Sequence, residues 1–292
     1  MGIAYDGGGE GDVGVTSEYG KLRKVLLCKP DYYRWLPINE PAARVIREGQ
    51  TFEPGEAKKQ HQEFSEILSS AGVEVLYVES NRDRYYQVYT RDIGVSTKNG
   101  VLLGRFRESL RKGEEDFAEE AFIKEGIPIL GRVLKGALEG GDIHYVDDET
   151  LAIGVGSRST IEGIKEAEKE LKGFGLTIIP VEFPEEYLHL DLLFAVIGER
   201  ICVACTETLP NSFIKILKHK KFTILEVSKE EAMELKNNVL SLDEKTVLSF
   251  KENTKLNEKL EALGFEVLKP EINIFTRGGG GPRCLTFPLE RD

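Results

Sequence analysis

A thiol, an imidazole and several carboxylates stand in this sequence where loops meet strands, and groups of these types can serve nucleophilic and acid–base chemistry. Cys284 ends the run Phe275-Thr276-Arg277-Gly278-Gly279-Gly280-Gly281-Pro282-Arg283. Four glycines ahead of a cysteine let the backbone come close to a ligand. Their N–H groups together with Arg283 would make the surroundings electropositive, which favours a thiolate. The plainer reading is a flexible loop leading to a buried cysteine in the strand CLTFPL. A phosphate loop is the weaker glycine reading, because the Lys-Ser/Thr ending and the following helix are missing. His189 and Asp191 lie in Tyr187-Leu188-His189-Leu190-Asp191-Leu192-Leu193. Strand-like alternation there predicts the two polar groups on one side and the leucines opposite. A partly exposed polar strand face or a pair of metal ligands are the alternatives, although no His or Cys cluster of metal-like spacing accompanies them. Glu139-Gly140-Gly141-Asp142 and Thr90-Arg91-Asp92 each read as a bend presenting acids at a strand entrance, or as ordinary polar turns. Arg158 precedes a helix in Gly154-Val155-Gly156-Ser157-Arg158-Ser159-Thr160. Cys202 and Cys205 form a lone CxxC inside a strand, which reads as core.

The elements that must position these groups repeat. An apolar strand from Lys24 is stopped by Pro30, a helix follows over 53–71, and a strand over 73–79. Strand pairs are then predicted at 92–97 and 100–105 across Asn99-Gly100, a hairpin signal. Others fall at 142–147 and 150–155, 191–197 and 200–205, and 238–241 and 246–250. Each pair leads into a helix (111–126, 159–175, 210–218, 253–263) and a further strand (127–130, 176–183, 222–227, 265–270). A strand-strand-helix-strand unit thus recurs about five times. Such repetition calls for a ring or solenoid, with an ordinary doubly wound α/β sheet as the alternative. Residues 1–16 are rich in glycine and acid and read as a flexible arm, with the remainder, 17–292, as one catalytic domain.

The chain has 292 residues and a formal charge of −11. That balance argues against nucleic acid or an anionic membrane as partner and favours a small cation. The N-terminus lacks a charged n-region and an apolar h-region, and no apolar run reaches the roughly 20 residues of a membrane span. The expected location is the cytoplasm, where the four cysteines stay reduced.

Taken together, the segments SEYGKLRKVLLCKP, YTRD, LEGGD, GVGSRS, LHLD and GGGGPRC resemble the guanidino-group-modifying enzymes: arginine deiminases, dimethylarginine hydrolases and amidinotransferases. The resemblance implies a pentein, an α/β fold of five strand-strand-helix-strand units around a central channel. It implies Cys284 as nucleophile, His189 as general acid and base, and Glu139 as the group orienting His189. Asp92 and Asp191 would clamp the guanidinium, with Asp142 among the substrate-binding acids. Arg158 and Arg111 would hold the substrate carboxylate, with Arg277 near the place of a third arginine.

The activity so implied is hydrolysis of a free guanidino amino acid, L-arginine to L-citrulline and ammonia, with no metal or cofactor. Asp191 following His189-Leu190 is similar to the deiminases, whereas the chain length is nearer that of the dimethylarginine hydrolases. Amidino transfer, onward reaction to ornithine and a non-catalytic binding ring remain open. Residues 30–52, with Tyr32, Tyr33, Trp35 and Pro37, are the candidate lid, since loops of this length are usually functional. A homo-oligomer is compatible with the sequence.

Overall fold

Five sheets of three strands each are present in the computed structural model, which describes residues 14–292. In the second sheet β3 (Gly94–Thr97) and β4 (Gly100–Leu103) form a hairpin, and β5 (Ile129–Arg132) lies parallel to β4. The third sheet joins β6 (Ile143–Asp147), β7 (Thr150–Val155) and β8 (Thr177–Glu182) in the same way, and the fourth joins β9 (Phe194–Gly198), β10 (Ile201–Ala204) and β11 (Thr223–Glu226). The fifth contains β12 (Leu240–Ser241), β13 (Thr246–Leu248) and β14 (Glu266–Leu268).

The first sheet departs from sequence order. β1 (Leu22–Cys28) runs parallel to β2 (Glu74–Val78), but its antiparallel partner is β15 (Phe287–Arg291), at the other end of the chain. This exchange closes the ring. It also explains why the sequence offers only strand, helix and strand for the first unit: the missing strand is the tail of CLTFPLER.

Burial falls from the inside of each sheet to the outside. The leading strands β3, β6, β9, β12 and β15 are buried nearly throughout, whereas β2, β5, β8, β11 and β14 are half-buried or exposed at most positions. A short parallel connection needs a helix, and each sheet has one. These are α1 (Glu40–Arg47) and α2 (Pro54–Ser70) in the first, then α3 (Glu114–Lys124), α4 (Ile161–Leu171) and α5 (Asn211–His219). After α6 (Lys229–Met233) comes α7 (Thr254–Ala262) in the fifth unit, and then the short α8 (Asn273–Thr276). Phe64 of α2, Phe122 of α3 and Phe213 of α5 are fully buried, each contributing about 1.5–3 kcal/mol by leaving water. One apolar cluster spans the third, fourth and fifth sheets and another joins the fifth to the first, so the core runs around the ring.

Chain reversal at the predicted hairpins depends on local chemistry. At Gly100 φ is +137°, and a side chain there would meet the Pro128 carbonyl at 2.4 Å, where β5 enters beside β4. The most useful feature for function lies just before the leading strands. Single turns of 3₁₀ helix over Thr90–Ile93, Gly140–Asp142 and Leu190–Leu192 precede β3, β6 and β9. Asn237-Asn238 and the turn around Cys284 hold the equivalent places before β12 and β15.

Two expectations change. His189 is extended, but Leu190–Leu192 form a turn rather than continuing a strand, so β9 starts at Phe194. Of the expected arm, residues 1–13 lie outside the described residues. Val15 is buried, and the Gly14 carbonyl accepts the Arg291 N–H at 2.8 Å. Among the described residues no helix is long and apolar enough to cross a membrane.

Candidate active site

The five turns ahead of the leading strands bring Asp92, Glu139, His189, Asn238 and Cys284 together. Nε2 of His189 lies 2.9 Å from Oε2 of Glu139, whose other oxygen accepts the Arg107 N–H at 3.0 Å. Nδ1 of His189 is 3.7 Å from Oδ1 of Asp92, and that oxygen accepts the Gly141 N–H at 3.1 Å. Gly141 is required here, because a Cβ would sit 2.6 Å from Nδ1 of His189 and 2.7 Å from Oδ1 of Asp92. All of these side chains are buried. Burial alone would lower the His189 pKa, but Asp92, Asp142 and Glu139 outweigh it and raise it to about 9. The imidazole is therefore a cation at neutral pH, suited to giving a proton to a departing amine.

Cys284 sits between two groups. Its Sγ accepts from Nδ2 of Asn238 at 3.0 Å and donates to Oδ2 of Asp191 at 3.4 Å, while its N–H donates to Oδ1 of Asn238 at 3.2 Å. The sequence expectation was an electropositive pocket and a thiolate. Here burial, then Asp191 and Asp92, push the thiol well above its ordinary value. Arg283, which the sequence sets beside the sulfur, is engaged by acids: Nη1 lies 3.4 Å from Oδ2 of Asp191 and Nη2 lies 3.2 Å from Glu18. Burial likewise holds the Asp191 carboxyl above its ordinary value, against the pull of Arg283 and His189. Oδ1 of Asp191 is buried and has no hydrogen-bond partner among the described residues. One positive group placed beside Asp92 and Asp191 would relieve both strains.

Two substrate-binding roles shift in this structure. Arg111 places Nη1 on Oδ2 of Asp92, binds Glu114 through Nε and Nη2, and donates through Nη2 to the Tyr89 carbonyl. All three nitrogens are engaged, so Arg111 holds Asp92 here rather than a carboxylate from outside. Asp142 gives Oδ1 to the Leu190 N–H and Oδ2 to the Ser159 hydroxyl. It thereby fixes the turn after His189, each oxygen already accepting one hydrogen bond from the protein. Arg158 is different. It is buried, its Nη2 donates to the Ile38 carbonyl at 2.8 Å, and no carboxylate among the described residues lies within ion-pair distance. It lines a cavity of about 180 Å³ together with Ile38, Asn39, Glu185 and Gly279. Arg277 is exposed at the head of the glycine loop.

The segment over 30–52 covers the site. Tyr33 and Tyr89 share a 2.6 Å hydroxyl hydrogen bond, Trp35 donates to the Ile274 carbonyl, and Asn39 donates to the Gly278 carbonyl. Gly278 and Gly279 make this closure possible, and Gly280 lets Tyr89 come as close. A Cβ on Gly278 would stand 1.7 Å from the Tyr33 hydroxyl, and one on Gly280 would stand 2.2 Å from the Tyr89 ring. At Gly279 φ is +100° and Asn39 lies against it.

Asn238 escaped the sequence reading, although its place before a leading strand matches those of Asp92, His189 and Cys284. The signal was positional, since an asparagine announces no chemistry. Cys202 and Cys205 are buried in the core around β10, as their pattern suggested. One ligand atom each from Asp92, Glu139 and His189 lies within 4.8 Å of the others, close enough to hold a cation. The set fits a metal poorly, because Asp92 is neutralised by Arg111 and Nε2 of His189 is held by Glu139.

Ring and site together define a pentein of the guanidino-group-modifying superfamily. The sequence matches the family described as N,N dimethylarginine dimethylhydrolase, eukaryotic, over residues 38–291, and the chain belongs to that family. It is 33% identical over 275 residues to the protein YkgA of Bacillus subtilis (strain 168), covering 94% of each chain. It is 24% identical over 250 residues to an arginine deiminase of Bacillus thuringiensis subsp. konkukian, covering 70% of this chain and 61% of that one. The fold is similar, with a TM-score of 0.81 at 21% identity, to the product-bound N-terminal domain of ArgZ, an arginine dihydrolase of cyanobacteria; 93% of this chain and 98% of that one are covered.

Proposed function

We propose that the chain hydrolyses the guanidino group of a free arginine-type amino acid, converting L-arginine to L-citrulline and ammonia through a covalent adduct on Cys284. The observation that carries this reading is a buried thiol in contact with Asp191, close to an Asp92 that lies against His189, whose pKa is raised to about 9. A guanidinium is a planar cation, and carboxylates can fix its plane through paired N–H contacts. Its arrival between Asp92 and Asp191 supplies the missing positive charge and lowers the thiol pKa, so the thiol releases its proton to solvent water as substrate binds, while His189 keeps its own.

The thiolate of Cys284 then forms a bond to the guanidino carbon. His189 delivers its proton to the leaving nitrogen, the C–N bond breaks, and ammonia departs, leaving a thiouronium. The neutral imidazole, oriented by Glu139, takes a proton from water as that water attacks the same carbon. The C–S bond breaks and the ureido product is released. Asn238 donates to the sulfur and steadies its negative charge at both ends of the cycle. Arg158, a buried cation without an acid partner, receives the substrate α-carboxylate, so agmatine should be a poor substrate. Because Cys284 is buried beneath the 30–52 segment, substrate entry requires that segment to lift.

A second reading has its own support: the family match points to methylated arginines, with methylamine or dimethylamine as leaving group. A panel of L-arginine, mono- and dimethylarginine and agmatine, with the amine and the ureido product both measured, decides between them. Citrulline from arginine alone supports the first reading, and turnover of methylated arginines alone replaces it with the second. Ornithine among the products, or transfer to an added amine, would redefine the reaction, and no turnover of any of them would refute both readings.

A further inference from the structure

Behind Cys284, on the side away from His189, lies a group of buried charges that the chemistry above does not use. Arg91, Arg283 and Arg291 are all buried there, with His144 beside them. The acid facing them is Glu18, carried by the segment that leads into β1. Its Oε1 lies 3.2 Å from Nη2 of Arg283 and accepts the Tyr145 N–H at 3.3 Å. Nη2 of Arg283 also donates to the Ile143 carbonyl at 2.6 Å, and Nε of Arg91 donates to the Arg283 carbonyl at 3.3 Å. Arg291 is held by the carbonyls of Gly20 and Ser241. The other nitrogen of Arg283, Nη1, reaches Oδ2 of Asp191, the same oxygen that receives the thiol of Cys284. An unbroken line of contacts therefore runs from Glu18 through Arg283 and Asp191 to the sulfur.

We infer that Glu18 is a positioning residue which, by dividing the charge of Arg283 between itself and Asp191, keeps Asp191 free to hold the substrate cation and sets the pH at which Cys284 ionises. The physical argument is one of competition. A guanidinium shared by two carboxylates neutralises neither fully. Without Glu18 its whole charge falls on Asp191, and the excess of three arginines reaches the sulfur undiminished in a medium of low polarisability. Burial alone would raise the Glu18 pKa, but Arg283 first, then Arg91, His144 and Arg291, bring it down to about 2, so the carboxylate stays charged across the working range. The groups facing the thiol are Asp191, Asp92, Tyr89, Asn238 and Arg283. Arg283, through which Glu18 acts, bears on both the thiol and Asp191.

This inference rests on the reading of Cys284 as nucleophile, but its test does not require turnover. The rate of Cys284 alkylation by iodoacetamide, mapped by peptide mass, gives a midpoint in pH for the unliganded enzyme. Glu18→Gln removes a negative charge, which lowers a neighbouring thiol pKa, so the midpoint should fall by about one pH unit. In the same variant kcat/KM for the guanidino substrate should fall about tenfold, mainly through KM, because Asp191 is then bound to Arg283. Val15→Ala, which loosens the packing of the same segment without touching charge, should lower thermal stability and leave the midpoint where it is. An unmoved midpoint in Glu18→Gln, or an equal movement in Val15→Ala, overturns the inference. Should Glu18→Gln not fold, Arg283→Met tests the line from its other end: the midpoint should rise, and an unchanged midpoint overturns it equally. A shifted midpoint with no turnover of any guanidino compound would leave the link standing and refute the proposed reaction instead.

Discussion

The two sides of Cys284 are built from adjacent residues with opposite charge. On the His189 side Asp92 and Glu139 flank the imidazole, with Arg111 and the Gly141 N–H on Asp92 and the Arg107 N–H on Glu139, while Asp191 beside the thiol meets Arg283 through one oxygen and leaves the other unpaired. On the far side Arg91 and Arg283, each one residue from Asp92 and Cys284, join Arg291 around Glu18. A single turn sends one side chain each way. The acid-rich side is left in want of a cation, and the base-rich side is closed internally by Glu18. Under the proposed function a cationic substrate would be drawn to one side, with the arginines that would repel it kept occupied by Glu18 and backbone carbonyls.

The largest test of this contrast is at its border. Cys284→Ser should retain the fold, seen as an unchanged melting curve, and lose turnover by about 10,000-fold or more. On the acid side, His189→Gln should cost about 100- to 10,000-fold in kcat with a smaller change in KM. The wild-type enzyme carries its own version of that experiment. Since the His189 pKa is raised to about 9, the proton donor is present at neutral pH and is lost as pH rises through about 9. kcat should fall over that window, and the histidine's contribution to stability, full below about 6.5, should vanish over the same range. A steady-state pH profile and melting temperatures at matched ionic strength check both. Arg158→Met should raise KM for an α-carboxylate substrate about 10- to 100-fold, leaving agmatine nearly unaffected. Equal losses for both would show that Arg158 supports the fold and not the carboxylate.

Away from both sides the effects should shrink. Gly278→Ala forces a Cβ into the Tyr33 hydroxyl and should destabilise the closed 30–52 segment by ~1–3 kcal/mol, read by chemical denaturation. Cys205→Ala, in the core around β10, should cost about 1 kcal/mol of stability and leave kcat intact.

Hydrophobic periodicity and turn residues made four of the five units legible, and their predicted ends fall within a few residues of the observed elements. The first unit was not, because its third strand lies more than 250 residues away and no local signal announces such a pairing. Of the side chains that meet at the candidate site, Cys284, His189, Glu139, Asp92 and Asp191 were singled out from the sequence. Asn238 and Glu18 were not, since an amide or a lone acid carries no signal until what it faces is known.

Residue types, spacing and motif order thus pointed to the class of chemistry, the ring of repeats and the side chains that gather at its centre. The ionisation of the Cys284 thiol was another matter. A glycine-rich stretch ending in Arg283 and Cys284 promised a depressed thiol pKa, and folding reversed the sign by burying the sulfur beside Asp191 and Asp92. Arg111 and Asp142 changed roles for the same reason. Charge is written in the chain, but the field at a buried atom depends on distance and on which partners have already been taken, and only the packed ring sets those.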